Sequence, residues 1–226
     1  TEEIIIKICE WIAKTTKETN LCLAGGVALN CVCNGILLKK NIFKNIWVQP
    51  AAGDAGGAVG AALALWHIDQ KNPRNINDKD DMSGSYLGPE YSQAEIEKQL
   101  KRLGAKFKIL SENEIINQTS LDLSSGNAVG WFQGRMEFGP RALGCRSILG
   151  DPRFSDMQKN LNLKVKFRES FRPFAPSILA EDLNNWFDIN SYSPYMLMVS
   201  KIKKNKCIPM TKSDEKLFGI EKLNVK

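Results

Sequence analysis

The chain has one histidine, His67, among its 226 residues. A histidine-based catalytic triad and a two-histidine metal site cannot be built from this chain alone. No apolar run reaches the ~18 residues that suggest a membrane helix, so no transmembrane span is expected and no membrane partner. The opening TEEIIIKICEWIAKTTKETN lacks a basic leader and a cleavage region, so it does not read as a signal peptide. It also lacks an initiating Met, and a trimmed or partial chain is the expectation. The six cysteines (9, 22, 31, 33, 145 and 207) form no paired CxxC knuckles. Buried free thiols in a cytoplasmic protein are therefore expected. The glycine-rich GDAGGAVG at 53–60 lacks the Lys-Ser/Thr ending of a Walker A loop. It also carries its acid inside the loop, unlike a dinucleotide fingerprint.

What is present is a globular composition, 43% hydrophobic and 25% charged, long enough for one large domain or two small ones. Apolar residues at Ile5, Ile8, Trp11, Ile12 and Thr15 predict a helix over 4–18, with Asn20 ending it. LCLAGGVALN reads as a buried strand, a Gly-Gly turn and a helix start. Residues 43–48 read as a second strand, followed by a glycine loop and a small-residue helix with His67 near its end. Strand, glycine turn and helix repeated twice predict α/β architecture. Residues 70–92 are polar and broken by Pro and Gly, a linker in which SYLG is an edge-strand candidate. Ser92 is the expected N-cap of EIEKQLKRL. LGAKFKIL is then read as a strand, SENEIINQTS as a helix and AVGWFQG as a strand. ILGD, a turn and SDMQKNLNLKVKF follow. FRPFAPSILAEDLNNWFDI is strand or loop followed by helix, PYMLMVSKI a further strand, and the last fifteen residues carry no convincing core element.

The net charge is +6, and between 131 and 175 nine basic residues face four acids. A nucleic-acid partner must be weighed, but it is disfavoured because these arginines alternate with Gly, Pro and acids. That arrangement points to a compact pocket for a small anion. GRMEFGPRALGCRSILGDPR at 134–153 holds four arginines and four glycines. Guanidinium forks match phosphate or carboxylate oxygens, so Arg135, Arg141 and Arg146 are the leading candidates. Glu137 either pairs with one of these arginines or meets ligand directly. Ser147 can donate to an oxyanion, and Asp151 with Arg153 reads as a salt-bridged turn. Cys145 sits among arginines that would lower its pKa, yet reads as filler. FRESFRPFAP adds Arg172, with Phe171 and Phe174 expected to anchor its loop. Together these residues suggest transfer chemistry on a phosphorylated substrate. In the glycine loops, Asp54 is either a ligand for metal or nucleotide or a helix cap, and the glycines of GGVALN meet nucleotide or allow close packing.

Five stretches, GGVALN, QPAAGDAGGAVGAAL, YLGPEYS, GWFQGRMEFGPRALGCRSILGDPR and KFRESFRPFAPSIL, resemble the O-carbamoyltransferases of the nodulation and antibiotic-biosynthesis type. The likeness spans almost the whole chain to about residue 200. It implies the C-terminal part of an actin-like domain over 1–75, a linker over 76–91, and a threonylcarbamoyl-adenylate-synthase-like α/β domain over 92–226 that is C-terminally incomplete. It implies that carbamoyl phosphate and ATP, with Mg2+, give carbamoyl-adenylate, and that the carbamoyl group passes to a hydroxyl of a sugar or small natural product. By resemblance Arg135, Arg141, Arg146, Ser147 and Arg172 line the activation site. Gly25, Gly26, Asn30, Gly53, Gly56, Gly57 and Glu137 lie at the nucleotide, and Asp54 completes a site for iron or another divalent metal. The family's histidine ligands have no counterpart here, and its members are more than twice this length. The chain is thus expected to need a missing N-terminal half of the same polypeptide, and a homodimer is compatible with it. Two other readings stay open: an enzyme related to tRNA threonylcarbamoylation, and a non-catalytic nucleotide-binding module.

Overall fold

A computed structural model of the chain describes residues 1–76, 79–189, 191–218 and 221. It mixes helices with two small sheets, an α/β fold as the alternating pattern predicts. By compactness the chain divides into two units. The first gathers Thr1–Lys98, Phe132–Ser147 and Ser191–Ser200; the second gathers Gln99–Trp131, Ile148–Asn190 and Lys201–Lys226.

In the first unit, helix α1 (Glu2–Thr16) starts with two glutamates in its first turn, the favourable sign at a helix N-terminus. It ends at Lys17, which takes a left-handed conformation and donates its N–H to the carbonyl of Ala13. The stop therefore comes before Asn20, which opens strand β1 (Asn20–Leu23). The inward face of α1 is Ile5, Ile6, Cys9, Ile12 and Ala13, while Ile8 and Trp11 lie exposed. Spacing found the helix but rotated its buried stripe. Helix α2 (Cys31–Lys40) connects β1 to β2 (Asn45–Val48), and the strands pair in parallel with Asn20 opposite Asn45 and Leu23 opposite Val48. Parallel neighbours require such a crossover. Cys9, Leu21, Cys33, Leu37 and Phe43 form one core cluster between α1, β1 and α2. Ala28, Val48, Ala52, Met82, Tyr195 and Leu197 form the other. Helix α3 (Asp54–Ala64) follows, continued by a wider π turn over Leu65–Asp69.

Asn34, 2% exposed, fastens this unit. Its amide donates to the carbonyls of Ala28 at 2.8 Å and Leu197 at 2.9 Å, and the Val199 N–H reaches the Cys31 carbonyl. PYMLMVSKI is accordingly not a strand: side-chain amide and helix-end carbonyl take its polar groups, and Met196 at φ 53° breaks the extended run. Among the described residues its last residue, Ile202, makes only an isolated bridge, with Phe187 in the second unit.

Helices α4 (Gln93–Arg102) and α5 (Glu112–Ser124) both begin with capping boxes. Ser92 and Glu95 exchange bonds as expected for Ser92, and Ser111 and Glu114 do the same. LGAKFKIL forms no strand among the described residues; its Ile109 is exposed and no neighbour pairs its backbone as a ladder. β3 (Val129–Phe132) and β4 (Arg146–Leu149) form the second sheet. In the second unit α6 (Met157–Asn160) and the π turn Leu161–Val165 pack Met157 and Leu161 against Gly150. Helix α7 (Leu183–Trp186) follows, as FRPFAPSILAEDLNNWFDI predicts. Residues 219, 220 and 222–226 of the weak C-terminal stretch lie outside the described residues.

Candidate functional site

The site assembles in the first unit, where the arginine motif meets both glycine loops. The Gly25 N–H donates to the Ala52 carbonyl at 2.8 Å, tying GGVALN to QPAAGD. A Cβ on Gly53 would meet Leu29 at 3.7 Å. Gly139, at φ 129°, lies so close to the Pro50 and Ala51 backbone that a Cβ would meet the Pro50 oxygen at 3.3 Å. The turn forced by Gly139-Pro140 therefore docks on the second loop and carries Arg141 to the first. There Arg141 Nη2 donates to the Leu29 carbonyl at 3.4 Å. The Arg141 Nε is buried and has no hydrogen-bond partner among the described residues.

The other motif residues divide by role. Arg146 spends its donors on its own chain: Nη1 reaches the Gln133 and Cys145 carbonyls at 2.8 Å each, and Nη2 the Gly134 carbonyl at 3.1 Å. Its guanidinium also lies 3.4 Å from the Phe132 ring centre. Arg135 donates to the Gly88 carbonyl at 3.2 Å and stands 3.6 Å from Glu90, half exposed. The Ser147 hydroxyl accepts the Gly144 N–H at 3.1 Å.

Glu137 pairs with no arginine side chain among the described residues. Buried at 5% exposure, it directs a single oxygen, Oε1, at three backbone N–H groups: Leu143 and Cys145 at 2.7 Å and Arg146 at 3.4 Å. Burial alone would raise its carboxyl pKa; the N–H bonds outweigh burial and hold it below the ordinary range. The neighbouring Cys145 thiol is shifted the opposite way from the sequence expectation. Burial and the Glu137 charge push it up, and Arg146 only partly offsets them. Cys145 is filler, buried in the turn that Glu137 organises.

In the glycine loops, Asn30 caps α2, its Oδ1 accepting the Cys33 N–H at 3.1 Å. Gly56 is required by packing: a side chain there would collide with the Ala51 carbonyl oxygen. Gly26 and Gly57 face open space, with nothing within 4 Å of where a Cβ would stand. Asp54 is the exposed first residue of α3, where a carboxylate suits the helix N-terminus. As a metal ligand it could give one carboxylate. Among the described residues no group of three or more His, Cys, Asp or Glu side chains could hold an ion, so these residues do not amount to a metal site.

Arg172 belongs to the second unit. Its Nε donates to Glu169 at 2.7 Å. Its loop is held by polar side chains rather than by Phe171, which is exposed. Asn162, fully buried, donates to the Ser170 and Arg172 carbonyls and accepts from Arg168, and Gln158 adds bonds to Phe171 and Arg172. Asp151 and Arg153 form the bidentate turn that the sequence suggests.

Sequence reasoning singled out SYLG and YLGPEYS but did not place them beside the arginine motif. Residues 85–89 are not an edge strand, yet their backbone pairs with 136–138. Gly88 N–H bonds the Met136 carbonyl, Met136 N–H the Pro89 carbonyl, and Phe138 N–H the Ser85 carbonyl at 2.6 Å. The Tyr86 hydroxyl donates to the Leu143 carbonyl at 3.0 Å. SYLG reads as an edge-strand candidate within a linker, but nothing local announces a partner some fifty residues away.

The glycine-rich arginine turn is thus docked on both glycine loops of an α/β protein. Residues 99–216 match the carbamoyltransferase C-terminus family and residues 1–63 the carbamoyltransferase N-terminus family. The chain belongs to the carbamoyltransferase family. It is similar to an uncharacterized protein of Synechocystis sp., 53% identical over 227 residues, all of this chain and 37% of that protein. It is also similar to the nodulation protein NolNO of Sinorhizobium fredii, 40% identical over 91% of this chain and 30% of the relative. Nodulation protein U of Rhizobium fredii is 34% identical over 81% of this chain and 29% of the relative. The chain thus spans about a third of the length of these relatives. Among the described residues no helix is long and apolar enough to cross a membrane.

Proposed function

We propose that this chain is the portion of an O-carbamoyltransferase that binds the phosphates during carbamoyl activation. Water hydrolyses carbamoyl phosphate to carbamate and phosphate, carbamate attacks ATP to give carbamoyl-adenylate with loss of pyrophosphate, and the carbamoyl group passes to a hydroxyl of a sugar or small natural product with release of AMP. The observation that carries this reading is Arg141. It is delivered to the junction of two glycine loops, and among the described residues one of its donors is engaged, at 3.4 Å, while its buried Nε has no partner. A buried guanidinium donor is costly to leave unpaired, and phosphate oxygens complement it bidentately. Open backbone at Gly26 and Gly57 lets a nucleotide approach closely. Arg135, half exposed, adds positive charge beside the motif. Arg146 and Glu137 hold the turn, and no step is assigned to a metal at Asp54.

The test is carbamoyl-phosphate-dependent release of pyrophosphate from ATP by this chain, with Arg141→Ala in parallel. Release in the wild type and a loss of 100-fold or more in the variant, about what removal of one transition-state donor costs, is expected. Release unaffected by the substitution refutes the role of Arg141. A wild type that neither releases pyrophosphate nor binds ATP refutes the proposal for this chain.

A further inference from the structure

The segment from Asp80 to Glu90, between α3 and α4 in the first unit, contributes no residue to the phosphate site just proposed. Its backbone is held in an uncommon shape. Ser83, Gly84 and Ser85 follow one another at φ 49°, 72° and 66°. Serine rarely enters the left-handed region unless its surroundings hold it there. What holds it is Tyr195, buried in the core cluster with Met82 and Leu197. The Tyr195 hydroxyl accepts the Gly84 N–H at 3.1 Å and donates to Asp80 Oδ2. Asp80 Oδ1 in turn accepts the Met82 N–H at 3.0 Å. The Trp47 ring meets the Tyr195 ring edge-on, 6.0 Å between centres. From this fixed point the strap runs along the arginine motif through Ser85, Gly88 and Pro89, and Tyr86 closes on Leu143.

We propose that Tyr195 and Asp80 are positioning residues for the arginine motif, latching the 82–89 strap against residues 136–143 so that Arg141 is presented at the glycine loops. The inference rests on the proposed role of Arg141 in phosphate binding. The latch fixes the strap, the strap fixes the backbone of Met136 and Phe138, and that backbone carries the turn bearing Arg141. Neither latch residue has to touch ligand.

Tyr195→Phe keeps the ring that packs on Trp47 and removes the hydroxyl that serves Asp80 and Gly84. Hydrogen exchange is read amide by amide in the intact chain, and ATP affinity is measured by calorimetry. In the variant, exchange at Ser85, Gly88, Met136 and Phe138 should quicken about tenfold or more, the scale of one or two lost buried hydrogen bonds. Exchange at Leu37, in the other core cluster, should stay unchanged, and ATP should bind about tenfold more weakly. Asp80→Ala should reproduce this pattern, and Asp80→Asn, which retains one oxygen, should recover part of both effects. That graded rescue is not expected from general destabilisation. Unchanged exchange at Met136 and Phe138, or equal acceleration at Leu37, overturns the latch. Faster local exchange with undiminished ATP affinity overturns its positioning role. A wild-type chain that binds no ATP refutes the proposed function instead, and the exchange pattern alone then supports or overturns the latch.

Discussion

Glu137 offers the sharpest test of how the arginine motif is built. Three N–H groups converge on its Oε1, two of them at 2.7 Å, and the side chain is almost wholly buried. Glu137→Ala leaves the buried Cys145 N–H and the half-buried Leu143 N–H without acceptors. At about 1–3 kcal/mol for each unsatisfied group, the first unit should lose about 2–5 kcal/mol. Glu137→Gln keeps one oxygen where all three bonds meet but removes its charge. Charge-assisted bonds are roughly twice as strong as neutral ones, so a smaller cost of about 1–2 kcal/mol is expected. The carboxyl pKa is depressed in the folded protein. Its stabilisation is therefore complete above the unfolded-chain value of about 4.3 and is lost as pH falls through the lower folded value. The wild-type advantage over Glu137→Gln should be constant near neutrality and shrink on acidification below about pH 4. Urea unfolding followed by circular dichroism, repeated from pH 7 to pH 3, measures both effects. An unchanged urea dependence in Glu137→Ala, or a Gln variant whose deficit persists at low pH, would refute this account.

Other expectations follow from the same packing. Gly56→Ala should destabilise the first unit by more than about 1 kcal/mol, because its Cβ would collide with the Ala51 oxygen. Gly57→Ala, facing open space in a helix, should be neutral or slightly stabilising; equal thermal midpoints for the two variants would contradict this. Asn34→Asp would set a carboxylate against two carbonyl oxygens and should cost more than Asn34→Ala, itself about 1–3 kcal/mol; denaturant midpoints in the reverse order would contradict it. A thiol reagent at pH 8 should label the exposed Cys22 and Cys207 first, and leave Cys9, Cys33 and Cys145 unmodified until unfolding, because burial both shields these thiols and raises their pKa. Mass spectrometry of the labelled peptides gives the order, and early labelling of Cys145 would show that the motif is open.

Short-range chemistry was legible in the chain because it is local. Both capping boxes follow from a serine three residues before a glutamate. The parallel β1–α2–β2 unit follows from apolar strands flanking one helix, and the Asp151–Arg153 turn from spacing two apart. The family is legible because the arginine motif and the glycine loops are written in contiguous residues. Periodicity misplaced what depends on distant neighbours. LGAKFKIL and PYMLMVSKI have strand-like composition, but a strand exists only where another backbone pairs with it. The second of these gives its polar groups to Asn34 and Cys31 instead.

The sequence by itself determined which residues can meet an anion: arginines for charge and geometry, glycines for close approach. Tertiary structure decided how those residues are used. Arg146 and Glu137 became internal fastenings, since their partners are backbone groups displayed only once the turn has closed. Arg141 was carried to the glycine loops, 112 positions from the carbonyl it meets. No local pattern encodes a contact across that separation, because it depends on where packing of the core places each loop.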